Sequence, residues 1–333
     1  MSILAAPLQV SQRTAAMALF ATCACWGLSF PLVRALSLSQ AMAVPEATTW
    51  CLTSWGLCLR FAIATLFLLW WCRRDLSRPT GPELAQGLGL GVFTAGGMLL
   101  QCDALSYAPA STVAFLTQCY AVWIPLLAAI RQRRLPDVTS MLCVATVVVG
   151  VAILAGFDVR TLSIGRGELE TLLCSLVFTG QLLWAERPAY GANRVGLVAV
   201  ITFTVACLTI LPVVVTTAPS LEVLAKIYDS PRQIALLVVL AVVSTGFGML
   251  MMFRYQRFIG ATAAAIIYCT EPIFTAIFAF VLPGLLSVFL SIAYPNETCT
   301  RALVIGGGLI IAANIAMQWR PKKIPIQGSA SVG

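Results

Sequence analysis

Ten hydrophobic segments alternate with short polar loops along the 333-residue chain. Each is about 20 residues long, the length that a helix needs to cross the roughly 30 Å hydrocarbon core of a bilayer. The segments cover residues 14–36, 51–72, 84–106, 109–130, 138–156, 168–187, 195–216, 233–253, 261–282 and 301–319. Because a helix satisfies its own backbone hydrogen bonds inside a bilayer, the pattern predicts an all-α integral membrane protein with ten transmembrane helices.

The composition excludes a water-exposed globular surface. Hydrophobic residues make up 59% of the chain and charged residues 10%, against about 25% charged residues in soluble domains. The net charge of +8 does not indicate a nucleic-acid partner, because the basic residues lie in short loops rather than in one patch. Histidine is absent and the twelve cysteines form no CxxC pair, so we predict no metal site and no cofactor.

The distribution of lysine and arginine predicts the orientation. With the N-terminus inside, fourteen basic residues flank the cytoplasmic ends of the segments and five flank the opposite ends. The excess predicts that both termini are cytoplasmic, which agrees with an even number of spans. The first segment lacks a clear cleavage site and is predicted to be a retained helix, and residues 320–333 are predicted to form a cytoplasmic tail.

The ninth segment carries polar residues in its middle. Tyr268, Thr270 and Glu271 are followed at once by Pro272, which lacks an amide hydrogen and therefore leaves the Tyr268 carbonyl without its helical donor. A carboxylate at this depth is costly unless protein, water or substrate surrounds it. We predict that this segment lines a transport pathway, where Glu271 binds a cationic substrate group or carries a coupling proton. The alternative is a Glu271 that only pairs with a neighbouring helix, with Pro272 as a passive kink.

The chain contains a weak internal repeat with an offset of 151 residues. The sequence Gly97-Met98-Leu99 recurs as Gly248-Met249-Leu250, which aligns the third and fourth segments with the eighth and ninth. Five segments per half is an odd number, so the second half must enter the membrane inverted, an arrangement that places transporter sites near mid-membrane. Pro125 lies one helical turn beyond the position that matches Pro272, and we therefore predict a broken helix in each half. The alternative is a chance similarity between apolar segments.

Several short motifs point to a family when they are taken together. They are Trp26-Gly27 with Ser29-Phe30, Leu59-Arg60-Phe61-Ala62, Ala104-Leu105-Ser106-Tyr107, Gly167-Glu168-Leu169, and Gly260-Ala261-Thr262 ahead of Glu271-Pro272. In order and spacing they resemble the EamA-type ten-helix carriers of the drug/metabolite transporter (DMT) superfamily. The resemblance implies two inverted five-helix repeats, residues 14–156 and 166–319, around a central cavity, and it allows a homodimer. The chain departs from the family pattern at residues 283–300, where an insertion follows the ninth segment.

We predict a substrate pathway lined by polar and aromatic residues of both halves. Its predicted members are Trp26, Arg60, Gln101, Asp103, Gln118, Tyr120, Gln181, Trp184, Tyr268, Thr270 and Glu271. Uncharged polar residues also hold membrane helices together, so a packing role stays open for each of them. For Arg60 the favoured interpretation is an ion pair with Asp103, and the alternative is bidentate recognition of a substrate carboxylate. Asp103 lies near a helix end, where its carboxylate can also reach water.

These features predict a secondary active transporter and not an enzyme. The resemblance implies transport of small organic metabolites, such as amino acids, and we expect export through a bacterial inner membrane. The partners are then a small-molecule substrate, the lipid bilayer and a coupling proton; the nucleotide-binding pattern GxxxxGK[ST] is absent. A sugar or nucleotide-sugar carrier of the same superfamily is an alternative that requires basic residues facing the cavity. A membrane-embedded lipid-modifying enzyme is a remote alternative, because the chain lacks histidine and a clustered acidic site.

Overall fold

The computed structural model is all-helical and describes residues 11–73, 76–133, 138–156, 164–185, 187–259 and 261–318. Within those residues the α-helices are α1 (Gln12–Ala43), α2 (Thr49–Trp71), α3 (Gly81–Ala104), α4 (Ala110–Thr117), α5 (Tyr120–Gln132), α6 (Val138–Leu154), α7 (Arg166–Ala185), α8 (Val195–Thr217), α9 (Leu221–Lys226), α10 (Pro231–Val239), α11 (Gly248–Tyr255), α12 (Ala261–Tyr268), α13 (Glu271–Leu290) and α14 (Arg301–Gln318). A π-helical turn, Leu240–Phe247, joins α10 to α11. Short 3-10 turns cover Pro188–Tyr190 and Gln256–Phe258.

Six helical stretches of the described chain are long and apolar enough to cross a membrane. They are Gln12–Ala43, Thr49–Trp71, Gly81–Ala104, Val195–Thr217, Pro231–Tyr255 and Ile266–Leu290, and shorter apolar helices cover Ala110–Ile124, Val138–Leu154 and Arg301–Met317. These features identify a multi-pass integral membrane protein. Each of the ten predicted segments coincides with one helix or with consecutive helices. The count of ten spans and the division into residues 14–156 and 166–319 stay predictions.

Part of the predicted topology lies outside the described residues. The predicted cytoplasmic tail, residues 320–333, is one such part. Six of the basic residues on which the predicted orientation depends also lie outside the described residues. They are Arg74, Arg134 and Arg160 in the loops, and Arg320, Lys322 and Lys323 in the tail.

The helices of the two halves pack against each other. α1 lies along α13, α2 along α8, and α3 along both α7 and α8, while α6 packs against α14. The α2–α8 contact contains a stacked aromatic pair, Phe61 and Phe203, with ring centroids 5.7 Å apart. The α6–α14 contact depends on glycine, because a Cβ atom at Gly150 would lie 2.8 Å from the Gly306 carbonyl oxygen. The resulting bundle surrounds a cavity.

The fourth and ninth segments are each interrupted by a two-residue break. α4 ends at Thr117 and α5 begins at Tyr120, and the corresponding boundaries of α12 and α13 lie 151 residues later in each case. Pro272 occupies the first turn of α13, where its missing amide hydrogen does not interrupt the helix that begins there. The break in the second half therefore falls at the positions that match the break in the first half, at the offset of 151 residues.

The prediction that Pro125 marks the break of the fourth segment is wrong. The backbone stays helical through position 125, and the chain leaves the helix earlier, at Gln118 and Cys119. There the amides of these two residues bond carbonyls only three residues back, Phe115 at 3.2 Å and Leu116 at 3.0 Å. The break therefore results from a tightened turn at the end of α4, and the proline lies within the helix that follows.

The insertion at 283–300 lengthens α13 and then folds back along it. α13 continues through Pro283 to Leu290, and Ser291 ends it in the left-handed conformation with φ at 56°. The backbone amide of Glu297 donates to the Ala279 carbonyl oxygen at 2.9 Å. Because Pro283 cannot donate to that carbonyl, the returning segment supplies the donor that the proline lacks.

Candidate functional site

A central cavity lies between the helices of the two halves. It contains about 1130 Å³ of space not occupied by protein atoms, its open mouth included. Most of the lining is apolar or aromatic, which is typical of small-molecule sites. The predicted pathway residues among the lining are Trp26, Arg60, Gln101, Tyr120, Gln181, Tyr268 and Glu271.

Two glutamines of this lining are held by threonines. Gln101 Nε2 donates to Thr117 Oγ1 at 3.1 Å, and Gln181 Nε2 donates to Thr94 Oγ1 at 3.2 Å. Both threonines also line the cavity. Because each bond uses the amide nitrogen, the glutamine carbonyl oxygens remain available as hydrogen-bond acceptors for a ligand.

Arg60 supplies the cation of the cavity. It lies on α2 and is only 5% exposed, and its Nε donates to Thr245 Oγ1 of the π-helical turn at 2.6 Å. In the described part of the chain no carboxylate lies within ion-pair distance of Arg60. The two terminal amino groups of the guanidinium therefore remain available to a ligand.

The favoured prediction for Arg60, an ion pair with Asp103, is wrong. Asp103 Oδ2 lies 2.6 Å from Arg166 Nη2 instead. Asp103 is close to the end of α3, beside the first residue of α7, so Arg166 reaches it directly. The prediction failed because the sequence does not show that α3 and α7 lie next to each other.

Glu271 supplies the carboxylate of the cavity. It is the first residue of α13, so the positive end of the helix dipole lies beside it. None of the described residues donates a hydrogen bond to its carboxylate. α1 holds this end of α13 in place through Gly27, where a Cβ atom would lie 2.9 Å from Thr275 N and 3.2 Å from Glu271 O. The cavity thus contains one guanidinium and one carboxylate, each without a charged partner among the described residues.

The two halves contribute matching positions to the cavity. Pairs of lining residues separated by 151 positions are Thr94 and Thr245, Met98 and Met249, Gln101 and Met252, Thr117 and Tyr268, and Tyr120 and Glu271. The two repeated glycines also have corresponding contacts. A Cβ atom at Gly97 would meet the Phe178 ring of α7, and one at Gly248 would meet the Trp26 ring of α1.

Comparison with known proteins identifies the family. A model described as the EamA-like transporter family matches residues 13–156 and 172–285. The chain belongs to the EamA-like transporter family. The resemblance to the DMT superfamily is thereby confirmed.

Among solved structures, one described as "Crystal structure of protein" shares 18% identity with this EamA-like transporter. Its TM-score is 0.55, and the match covers 92% of this chain and 97% of that chain. At this identity the likeness shows a shared fold. No curated protein matches the chain.

Three further predicted pathway residues of this EamA-like transporter do not line the central cavity. Gln118 is buried in the break between α4 and α5. Thr270 lies in the break between α12 and α13, where its hydroxyl donates to the Ile267 carbonyl at 2.6 Å. Trp184 packs near the end of α7, with the Arg187 guanidinium carbon 3.7 Å from the centroid of its ring.

Asp103, the fourth residue outside the lining, belongs to a charged cluster between α3 and α7. Arg166 bonds the Asp103 carboxylate, Glu170 Oε1 at 2.7 Å and the Tyr107 hydroxyl at 2.6 Å. Asp103 is fully buried, and its carboxylate lies beside that of Glu170; one oxygen of each receives no donor from the described residues. The spacing of Arg166 and Glu170, four residues apart on one helix, was the available sequence signal for this cluster.

The π-helical turn contains site residues that the predicted pathway omitted. Ser244 and Thr245 line the cavity. Ser244 Oγ donates to the Cys25 carbonyl at 2.9 Å, and Thr245 accepts from Arg60. π-helical turns are frequent at functional sites. The consecutive Ser-Thr-Gly within the eighth segment was the available signal, but periodicity alone cannot place a π-helical turn.

Proposed function

We propose that this EamA-like transporter is a secondary carrier of small zwitterionic metabolites such as amino acids. The observation that carries the proposal is the presence of Arg60 and Glu271 in one cavity, each without a charged partner among the described residues. The guanidinium binds the substrate carboxylate through its terminal amino groups. Glu271 accepts the substrate ammonium group or carries a coupling proton, and the apolar lining receives the substrate side chain.

The energetics favour a zwitterion over an ion of a single charge. A buried, unpaired ion in a membrane protein is costly, and an opposite charge brought by the substrate offsets that cost. An amino acid brings both opposite charges on one small molecule. An amine leaves Arg60 uncompensated, and a simple carboxylic acid leaves Glu271 uncompensated.

We infer that transport proceeds by alternating access between two inverted repeats. Support comes from the helix breaks and the matching lining positions at an offset of 151 residues, and from the two stretches that the family model matches. Inverted repeats rock around a shared site in many secondary carriers. The distribution of basic residues supports cytoplasmic termini in a bacterial inner membrane. Export is the proposed direction, and a homodimer remains part of the proposal.

The alternative substrates and activities receive less support. A sugar or nucleotide-sugar carrier needs several basic residues at the cavity, and in the described lining Arg60 is the one present. Arg34 instead donates to the carbonyl oxygens of Leu105, at 3.2 Å, and Ala108. Membership in a transporter family supports a carrier over a lipid-modifying enzyme, and we propose no cofactor.

A ligand screen by thermal unfolding tests the substrate class. Purified protein is tested against amino acids, amines, sugars and nucleotides, because ligands that bind the folded state raise the unfolding temperature. Amino acids that stabilise the protein are then compared with their methyl esters and their deaminated acids. The wild type should be stabilised most by the intact amino acid, and flux into liposomes should follow the same order. Stabilisation by sugars or nucleotides without any effect of amino acids would reject the proposal.

Two charge variants test the assignment of the two groups. An amino acid and its methyl ester should raise the unfolding temperature of Arg60→Gln equally, because the guanidinium that distinguishes a free carboxylate from an ester is absent. The amino acid and its deaminated acid should raise the unfolding temperature of Glu271→Gln equally. Arg232→Gln is the matched control, because Arg232 lies outside the cavity and donates to the Phe289 carbonyl at 3.0 Å; it should keep the wild-type order.

A further inference from the structure

A second, smaller cavity lies on the other side of Arg60. It contains about 410 Å³ of space not occupied by protein atoms, and its lining includes Gln40, Gly56 and Tyr228. Arg60 is the one described residue that lines both cavities. The Arg60 side chain therefore borders both spaces.

The small cavity lies towards one face of the bundle. Gln40 is near the end of α1, Gly56 is in the first half of α2, and Tyr228 lies between α9 and α10. These three positions are on the side of the bundle opposite the beginning of α1. That side is the outer one in the proposed orientation. Because both cavities border Arg60, the small cavity offers a substrate one path from the central cavity towards this face.

The polar groups of the small cavity favour an anion. Gln40 is only 3% exposed, and one N–H of its side-chain amide faces the Tyr228 hydroxyl, which leaves the second N–H for a ligand. The Tyr228 hydroxyl lies against α2, where a Cβ atom at Gly56 would be 2.8 Å away. Burial raises the pKa of Tyr228 to about 12, so the hydroxyl keeps its proton. Among the described residues, the lining contains these donors and the Arg60 guanidinium but no Asp or Glu.

We propose that the small cavity is a second, carboxylate-binding station on the transport route, in which Gln40 donates to the substrate carboxylate after that group has passed Arg60. The proposal rests on the proposed function, since it requires a substrate that carries a carboxylate. The small cavity is much smaller than the central one, so it receives the carboxylate while the substrate side chain still occupies the central cavity. Arg60 contacts the carboxylate from either side, because Thr245 engages only its Nε.

This arrangement separates binding from translocation. Gln40 does not line the central cavity, so the first binding event does not depend on it. The passage of the carboxylate does depend on it, because the buried amide replaces water that the carboxylate loses. A substitution at Gln40 should therefore change flux and leave the affinity of the central site unchanged.

The test compares Gln40→Met with the matched control Gln233→Met. Gln233 is also 3% exposed and donates to Ser39 Oγ at 2.8 Å, but it lines neither cavity. The probes are the twenty standard amino acids, first in thermal unfolding and then in liposome flux. For each amino acid that stabilises the wild type, Gln40→Met should keep the apparent Kd within about twofold and lower the flux by about tenfold, the loss of roughly one hydrogen bond. Gln233→Met should keep both within about twofold.

Other outcomes would overturn either the second binding station or the proposed function. Wild-type flux in Gln40→Met, or an equal loss in Gln233→Met, overturns the station while the proposed function stands. A wild type that no amino acid stabilises and that transports none overturns the proposed function, and the station falls with it. If Gln40→Met does not fold, Gln40→Asn replaces it, because it keeps the amide but withdraws it by one methylene and should lower flux with unchanged Kd.

Discussion

The side-chain amide of Gln118 donates a hydrogen bond to the Tyr268 carbonyl oxygen, with Nε2 and O 3.3 Å apart. That carbonyl lies four residues before Pro272, which cannot serve as its helical donor. Gln118 is itself in the break between α4 and α5, and its own carbonyl accepts from Asn314 Nδ2 at 3.1 Å. The two broken helices are therefore joined at their breaks. Such contacts allow irregular backbone to persist inside a membrane protein.

Replacing Gln118 by Leu should destabilise the folded protein. The substitution leaves the Tyr268 carbonyl without its donor, which costs about 1–3 kcal/mol for a buried polar group. Chemical unfolding in detergent measures the change in the free energy of unfolding. Gln86→Leu is the control, because Gln86 lies in the first part of α3 and accepts from Asn193 at 2.7 Å, away from the breaks; it should cost less. Equal stability of Gln118→Leu and the wild type would show that the bond between the breaks contributes nothing.

Replacing Glu271 by Gln tests the coupling proton. The amide keeps the size of the side chain but cannot exchange a proton, so an imposed pH gradient should no longer drive substrate flux. Exchange of labelled for unlabelled substrate without a gradient should continue at a measurable rate. Both rates are measured in the same proteoliposomes. If pH-driven transport remained intact in Glu271→Gln, the proton role would be wrong.

Replacing Arg166 by Met should destabilise the bundle between α3 and α7. Asp103 is fully buried, and loss of its partner leaves a carboxylate uncompensated at a cost of about 3 kcal/mol, the low end for such cases because Arg166 is partly exposed. The double variant Arg166→Met with Asp103→Asn should recover most of the loss, because the buried charge is then absent. Unfolding of the single and double variants measures both values. A double variant no more stable than Arg166→Met would contradict this account.

Replacing Gly27 by Ala should push α1 away from α13. The added Cβ atom would lie 2.9 Å from both Phe274 Cβ and Thr275 N, closer than packed atoms approach, and overpacking costs about 1–3 kcal/mol. Gly308→Ala is the matched control, since no atom of the described chain lies within 4 Å of a Cβ atom there. The control should be as stable as the wild type or slightly more stable, because Ala favours the helix. Thermal unfolding of both variants checks the prediction, which fails if their unfolding temperatures match.

Replacing Glu297 by Gln should weaken the start of α4. The Glu297 carboxylate accepts the Ala110 amide at 2.7 Å and also bonds the amide and hydroxyl of Ser111. Pro109, the residue before α4, provides no side-chain cap, so Glu297 satisfies these donors from another part of the chain. We expect a loss of about 1 kcal/mol in the free energy of unfolding. Glu222→Gln serves as the control, because Glu222 only forms an exposed pair with Lys226 and should change stability very little.

The class of the protein could be deduced from the sequence because the determining chemistry is local. Long apolar segments predict membrane helices from their own composition. The offset of 151 residues between the repeated motifs recurs in the helix boundaries, because both depend on the order of residues along the chain. Proline chemistry likewise pointed to the Tyr268 carbonyl as a group in need of a donor. Placing Glu271 beside a cavity followed from the cost of a carboxylate at membrane depth.

The pairing of side chains across the bundle emerged only from the tertiary structure. Asp103 meets Arg166 rather than Arg60, Gln118 meets the ninth segment, and Trp184 packs outside the cavity. Each of these outcomes depends on which helix faces meet. Nearly every face of these membrane helices is apolar, so hydrophobic periodicity carries little information about their neighbours. Contacts between residues far apart in the chain, such as Arg60 with Thr245, therefore decide which polar groups remain available to a substrate.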